Sequence, residues 1–115
     1  MSLSEFEIKR CEKKLESFLE RKRPAPAVRS GVDIGYSIEK QSVEIFEIRP
    51  QWDDPTQKIT IPLAKATYVK SRGIWKVYWR RADMKWHRYE PARTVKFFEG
   101  FLDLVEEDAH SCFFG

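Results

Sequence analysis

The spacing of apolar residues changes early in the chain, and this change limits the folds that the chain can adopt. Residues 4–23 predict one amphipathic helix, because their apolar side chains recur at helical spacing. These side chains are Ile8, Cys11, Leu15, Phe18 and Leu19. Pro24 and Pro26 end the helix, and from Val32 to Ile38 apolar and polar residues alternate as on a half-buried strand. A helix followed by alternating strands predicts an α+β domain.

Both ends of the first helix carry the expected signals. Ser4 and Glu7 have the spacing of a capping box, in which a hydroxyl and a carboxylate bond to free backbone amides at a helix start. Arg21, Lys22 and Arg23 place positive charge at the end of the helix, where it opposes the helix dipole. Residues 1–3 precede the cap, and we expect them to be disordered or foreign to the natural chain.

Four further segments predict strands, which gives five with the first. They are residues 43–49, 63–71, 74–80 and 85–89. Residues 50–55, with two prolines and two aspartates, predict a loop that carries Trp52. Short turns at residues 72–73 and 82–83 join the last three strands. Because consecutive strands with short connections usually pair, we expect an antiparallel meander.

A second amphipathic helix is predicted near the C-terminus, with Thr94 as its cap. Its inner side carries Val95, Phe98, Phe101, Leu102 and Val105. Residues 106–108 are all acidic, which is unfavourable at the end of a helix, so we expect a basic group nearby. The predicted fold is a single α+β domain over residues 1–115: an N-terminal helix, a five-stranded antiparallel meander sheet, and a C-terminal helix packed on one sheet face.

Composition narrows the class of protein. Hydrophobic residues make up 42% of the chain, which is enough for a core. Cys11 and Cys112 have neither metal-site nor disulfide-framework spacing. With no secretory signal and no apolar run of membrane length, the sequence predicts a cytoplasmic protein without membrane association. Net charge is only +3, but residues 70–96 contain nine basic and two acidic side chains, so this segment carries +7 and the rest −4.

The register of the last two strands decides which basic side chains share a face. With two-residue turns, the opposite pairs are Trp79 with Trp86, Tyr78 with His87, Lys76 with Tyr89, and Arg80 with Lys85. The side facing the helices then holds Ala64, Ala66, Tyr68, Trp75, Val77, Trp79 and Trp86, with small residues beside large ones. A three-residue turn at residues 82–84 would shift this register and scatter the group on the other side.

The other side of the predicted sheet collects basic and aromatic side chains. It holds Lys65, Thr67, Lys76, Tyr78, Arg80, Lys85, His87 and Tyr89. Like charges directly opposite each other, as with Arg80 and Lys85, destabilise a sheet, so their presence indicates a nearby anion. Apart from Thr67, these residues form the predicted polyanion-binding site.

The favoured partner is single-stranded RNA or DNA, whose phosphates attract cations and whose bases stack on aromatic rings. This hypothesis depends on the register of the indoles. Coordinates that place Trp79 and Trp86 on opposite sides of the sheet would remove the reason to prefer a phosphate-bearing partner.

Three alternatives stay open. The anion could come from the protein itself, from Glu44, Glu47 or residues 106–108, which would leave an ordinary salt-bridged surface. The chain could be a protein-interaction or homodimerisation module that uses Trp52, the sheet face or the Phe113–Phe114 tail. A metal-assisted nuclease would need Asp33, Glu44, Glu47 and Lys65 to converge. Glu44 and Glu47, however, lie three apart on a strand and should point to opposite faces.

Other catalytic and metal-binding patterns are weak. Asp108, His110 and Cys112 alternate and with His87 offer metal ligands, but their spacing matches no known zinc pattern. We expect His110 and Cys112 to dock the tail, while Phe113 and Phe114 cover apolar surface. A nucleophile pair of Cys112 and a histidine lacks an orienting group. With five glycines and no phosphate loop, the sequence predicts no cofactor and favours a binding protein over an enzyme.

Several segments together resemble a known family. They are FEIRP at 46–50, AKATYV at 64–69, WKVYW at 75–79, KWHRY at 85–89 and DAHSCF at 108–113. They are similar to a bacterial family catalogued as domain of unknown function 3024 (DUF3024), with the first helix fitting more loosely. The resemblance implies a bacterial origin and a small stand-alone protein. It implies no activity, and it transfers no catalytic or binding residue.

Overall fold

The first helix has the predicted position and the predicted cap. The computed structural model describes residues 3–108 and 112–113 of the 115-residue chain. Helix α1 spans Glu5–Lys22. Ser4 Oγ accepts a hydrogen bond from the Glu7 amide at 3.1 Å, and Glu7 Oε1 accepts one from the Ser4 amide at 2.9 Å. The capping box is therefore confirmed, and the apolar stripe buries Cys11, Leu15 and Phe18.

The first five strands lie in chain order in one antiparallel sheet, which confirms the meander, and a short sixth strand joins the same sheet. They are β1 (Asp33–Glu39), β2 (Ser42–Gln51), β3 (Asp54–Val69), β4 (Ile74–Arg80), β5 (Trp86–Arg88) and a short β6 (Thr94–Val95). The order is β1-β2-β3-β4-β5, and β6 pairs with β4. Short 3-10 turns at Pro26–Val28 and Glu90–Ala92 precede β1 and β6.

The segment predicted as a loop around Trp52 is instead part of a long β-hairpin. Strand β3 begins at Asp54 rather than near Leu63, so only residues 52–53 connect it to β2. Strand β3 contains Pro55 and Pro62, yet it pairs with β4 only from Ala64 onward. A proline is tolerated on a strand segment whose second edge has no partner, because no ladder hydrogen bond is lost there. Pro55 therefore gave a misleading loop signal, and Pro62 lies within β3 rather than before it.

The second helix begins later than the sequence predicts. Helix α2 spans Phe98–Glu107, whereas Thr94 and Val95 form β6 and do not cap the helix. The buried residues Phe98, Phe101, Leu102 and Val105 match the predicted inner side. Arg21 Nε lies 3.0 Å from Glu106 Oε1, which provides the basic group expected near the acidic end of this helix.

Both helices pack on one side of the sheet and form the core with it. The sheet contributes Val43, Ile45, Ala64, Ala66 and Val77 as fully buried residues. Leu3 is also buried and its amide donates to the Lys40 carbonyl at 2.9 Å, so residue 3 belongs to the folded domain rather than preceding it. Neither of the described helices is both long and apolar enough to cross a membrane.

Candidate functional site

The register between β4 and β5 differs by one residue from the predicted register. Trp79 lies opposite His87 and Arg80 opposite Trp86, while Tyr78 lies opposite Arg88. Because residues directly opposite each other share a face, Trp86 is on the same side as Arg80, and Trp79 is on the other side. The predicted pairing of Trp79 with Trp86 is therefore wrong, as is that of Arg80 with Lys85.

The shift comes from the length of the turn. The Met84 amide donates to the Arg81 carbonyl at 2.8 Å, and the Arg81 amide donates to the Lys85 carbonyl at 3.2 Å. Met84 has a φ of 63°, in the left-handed region. This pattern is typical of a three-residue hairpin loop, a type I turn followed by one left-handed residue. Asp83 supports it, because its Oδ1 accepts from the Lys85 amide at 3.0 Å.

The new register removes three residues from the predicted polyanion-binding site. Lys85 lies in the turn, and His87 is on the side of Trp79, with its Nε2 2.7 Å from Asp83 Oδ2. This hydrogen bond is the main reason why the pKa of the Asp83 carboxyl is lowered. Tyr89 is buried, with its ring centroid 4.9 Å from that of Phe113. The sequence-based reason for a phosphate-bearing partner, which required both indoles on one side, is therefore lost.

The same shift adds two other residues to the face opposite the helices. Cross-strand pairs run from Glu44 to Lys65, from Lys65 to Tyr78 and from Tyr78 to Arg88. We define the outer face as the basic, aromatic and hydroxyl side chains that β3, β4 and β5 present on this side. They are Lys65, Thr67, Lys76, Tyr78, Arg80, Trp86 and Arg88. Trp86 and Arg88 were missed because they alternate with Lys85, His87 and Tyr89.

Two aromatic rings organise the cations of the outer face. The Lys65 ammonium lies 5.6 Å from the ring centroids of both Tyr78 and Trp86. The Arg80 guanidinium carbon lies 5.4 Å from the centroid of Trp86. A cation over an aromatic face is attracted to it but keeps its full charge. The rings therefore position positive charge without neutralising it.

The cations of the outer face form no ion pairs within the described part of the chain. No carboxylate oxygen of residues 3–108 lies within 4.0 Å of the charged groups of Lys65, Lys76, Arg80 or Arg88, since the ion pairs in that segment all involve other residues. Two of the internal anions considered from the sequence are used elsewhere, whereas Glu44 lies directly opposite Lys65 across β2 and β3. Glu47 pairs with Arg49 at 2.9 Å and Glu106 pairs with Arg21 at 3.0 Å.

A concavity opens beside the outer face. Its volume is about 330 Å³, and we call it the arginine pocket. It is lined by Arg72, Lys76, Tyr78, Arg88, Arg93 and Thr94. Arg93 alone in this group has a carboxylate partner among the residues described, with its Nε 2.6 Å from Glu90 Oε2. No sequence signal indicated the pocket, because the turn before β4, β5 and β6 contribute to it together.

A family model covers nearly the whole chain. Residues 3–115 match the model described as Domain of unknown function (DUF3024). The chain belongs to the DUF3024 family. No curated protein and no solved structure is significantly similar to it. Because the family description names no activity, roles for residues of this DUF3024 protein rest on geometry.

The acidic residues considered for a nuclease do not converge in this DUF3024 chain. Asp33 is held by Arg23, with Oδ2 2.6 Å from the guanidinium, and this hydrogen bond is the main reason why its pKa is lowered to about 2. Glu44 and Glu47 lie at positions of opposite parity on β2 and therefore on opposite faces, as predicted. Within residues 3–108 and 112–113, no three His, Cys, Asp or Glu side chains form a group that could hold a metal ion.

Near the C-terminus, Phe113 packs into the core on the helix side of the sheet. Phe113 is buried, and its amide donates to Asp108 Oδ1 at 3.0 Å. Burial raises the pKa of the Cys112 thiol, which makes a nucleophilic thiolate less available. The predicted packing of Phe113 against apolar surface is confirmed. Phe114 and His110 lie outside the described residues. The metal-binding set that His110 would complete therefore also lies partly outside them.

Proposed function

We propose that this protein is a non-catalytic module that binds single-stranded RNA or DNA through its outer face. The observation that carries the proposal is the group of four cations, Lys65, Lys76, Arg80 and Arg88, that lie on one face without carboxylate partners in the described part of the chain. Unneutralised cations on one face favour a partner with repeated negative charge, and phosphates supply it.

The aromatic rings favour a single strand over a duplex. Tyr78 and Trp86 are part of the sheet surface, and each can stack on an unpaired base, a contact worth about 1–3 kcal/mol. In the free protein Lys65 and Arg80 lie over these rings. Phosphates draw the cations toward the strand and so expose the rings for stacking. Positive charge and aromatic surface thereby act together.

A cytoplasmic location is part of the same proposal. Cys11 is a free thiol and is buried. Burial raises the pKa of the Cys11 thiol to about 11, so this residue is a small apolar side chain rather than a reactive one. Free thiols are typical of reducing compartments, where nucleic acid is also present.

A second candidate is a protein-interaction or homodimerisation module. It is supported by the β2–β3 hairpin, whose tip exposes 92% of the Trp52 surface. Ile59 and Ile61 on the same hairpin are also exposed, and apolar residues grouped at a surface are typical of interaction sites. Sedimentation of the wild-type protein and of a Trp52→Ser variant tests the homodimerisation form of this candidate, which requires a dimer that the substitution dissociates.

The outer face is tested by fluorescence anisotropy with a short labelled oligonucleotide. We expect affinity to fall about 50-fold between about 50 and 200 mM salt, because roughly four phosphate contacts give a logarithmic slope of about −3. Reversing two charges in Lys76→Glu/Arg80→Glu should abolish binding without unfolding the domain.

The matched control reverses two exposed lysines of α1 in Lys13→Glu/Lys14→Glu, which changes the net charge by the same amount. This control should retain binding within a few-fold. Binding that survives in the outer-face variant, or that is lost equally in both variants, contradicts the proposal, because net charge alone would then explain the affinity.

A further inference from the structure

The arginine pocket contains more positive charge than is needed to bind one phosphodiester group within a strand. Arg72 comes from the turn before β4, Lys76 from β4, Arg88 from β5, and Arg93 from the residue before β6. Glu90 engages Arg93, but no carboxylate oxygen of the described residues lies within 4.0 Å of the other three cations. Three uncompensated cations around one concavity favour a ligand with more than one negative charge.

A phosphate monoester has that charge. It carries about −1.5 to −2 at neutral pH and presents three strong acceptor oxygens, whereas an internal diester carries only one charge. Guanidinium groups such as those of Arg72 and Arg88 bind such oxygens with two parallel hydrogen bonds. The Thr94 hydroxyl on the pocket wall adds a neutral donor.

The volume of the pocket limits the size of the ligand. Its 330 Å³ lie at the small end of the range of ligand pockets, about 300–1,000 Å³. A pocket of this size is large enough for a terminal phosphate group.

A second concavity continues the path for a strand. It has a volume of about 590 Å³ and shares Lys76 and Tyr78 with the arginine pocket. Its other walls include Gln41, Thr67 and Ser71, whose amide and hydroxyl groups suit a sugar or a base. The Tyr78 ring borders both spaces and can stack on the first base.

We propose that the arginine pocket binds the terminal phosphate monoester of a single-stranded nucleic acid, with the adjoining nucleoside in the second concavity. This inference rests on the proposed function, since it names the end of the strand that the outer face would hold. It assigns Arg72, Lys76 and Arg88 to the monoester and Tyr78 to the neighbouring base.

The test compares three oligonucleotides of one sequence that carry a 5′-phosphate, a 3′-phosphate or hydroxyls at both ends. We expect one phosphorylated form to bind about tenfold more tightly than the hydroxyl form near neutral pH. The preference should decrease as pH falls through about 6, the second pKa of the monoester, where it loses its second charge.

Variants separate the pocket from the rest of the outer face. Arg72→Gln/Arg88→Gln should remove the preference for the phosphorylated end. Arg72→Gln alone should reduce this preference, and because Arg72 lies at an exposed turn position, this variant serves as the test if the double variant folds poorly. Arg80→Gln lies outside the pocket, so it should weaken all three oligonucleotides equally and keep the preference.

The outcomes distinguish the two proposals. Equal, salt-sensitive binding of all three oligonucleotides overturns the terminal-phosphate inference and leaves the outer-face function standing. A preference that survives in Arg72→Gln/Arg88→Gln also overturns the inference, because another site must then bind the phosphate. If the wild-type protein binds none of the three, the proposed function fails, and the inference fails with it.

Discussion

The C-terminal end of α1 and the outer face both concentrate basic side chains, but the two regions use them differently. Near the end of α1, Arg21 bonds to Glu106 of α2 at 3.0 Å, and Arg23 bonds to Asp33 of β1 at 2.6 Å. The first ion pair joins residues that are 85 positions apart in the sequence, and the second joins the end of α1 to the first strand after it. On the outer face, Arg80 and Arg88 have no carboxylate partner among the described residues. Cations that do not hold the fold together are available to an external anion.

Aromatic residues show the same division between the two sides of the sheet. Trp79 is half-buried and packs against the core, whereas Trp86 is half-buried among the cations of the outer face. The two indoles occupy neighbouring strands, yet one stabilises the fold and the other supports the proposed binding surface. Comparing substitutions of the two indoles gives the strongest test that one side of the sheet stabilises the fold and the other binds a partner.

Substituting each indole separately should produce opposite phenotypes. Trp79→Ala should lower the free energy of unfolding by about 2–3 kcal/mol, because it leaves a space against the core, although less than for a fully buried ring. Trp86→Ala should change stability little but weaken oligonucleotide binding about tenfold, through the loss of one stacking contact. Chemical denaturation and fluorescence anisotropy measure the two effects.

Trp52→Ala is the matched control, since this indole is 92% exposed at the tip of the β2–β3 hairpin. It should change neither the free energy of unfolding nor oligonucleotide affinity. Equal destabilisation by Trp79→Ala and Trp86→Ala would contradict the division, because both indoles would then belong to the core.

The side of the sheet that Trp86 occupies could not be read from the sequence, although most of the fold could. The cap at Ser4, the stripe along α1 and the apolar face of α2 are local patterns, and each was confirmed. The register of β5 instead depends on whether the hairpin loop has two or three residues. That choice rests on Met84, which adopts a left-handed conformation. Glycine or asparagine would have signalled this conformation, but methionine gives no such signal.

The composition of β5 gave no indication that the predicted register was wrong. In the sequence from 85 to 89, basic or aromatic side chains stand at every position, so either register produces a basic and aromatic outer face. The predicted face contained Lys85, His87 and Tyr89, and the observed face contains Trp86 and Arg88. Composition therefore predicted the chemical character of the site, while backbone geometry determined its members.

The arginines of the two regions should also respond oppositely to substitution. Arg88→Gln should weaken oligonucleotide binding about tenfold, because it removes a charge-assisted contact, and should leave stability unchanged. Arg21→Gln should lower the melting temperature slightly, since its exposed ion pair with Glu106 contributes little, and should leave affinity unchanged. A thermal melt and a binding titration on each variant complete the comparison. Loss of binding in Arg21→Gln would show that α1 contributes to the site.

The smallest expected effect is on the pH dependence of stability. It concerns Asp33, the carboxylate partner of Arg23, which has no counterpart beside the outer-face arginines. The Arg23 guanidinium lowers the pKa of Asp33 to about 2 from its ordinary 3.8, so ionised Asp33 stabilises the folded state above pH 4. This contribution should disappear as pH falls from about 4 to about 2, where the folded state takes up the proton.

Because other carboxylates titrate in the same range, the informative quantity is the free energy of unfolding of wild type minus that of Asp33→Asn. We expect this difference to be positive at neutral pH and to approach zero near pH 2. A stability difference that persists at low pH would contradict the role of the ion pair with Arg23. It would show that protonated Asp33 makes a hydrogen bond that asparagine does not make equally well.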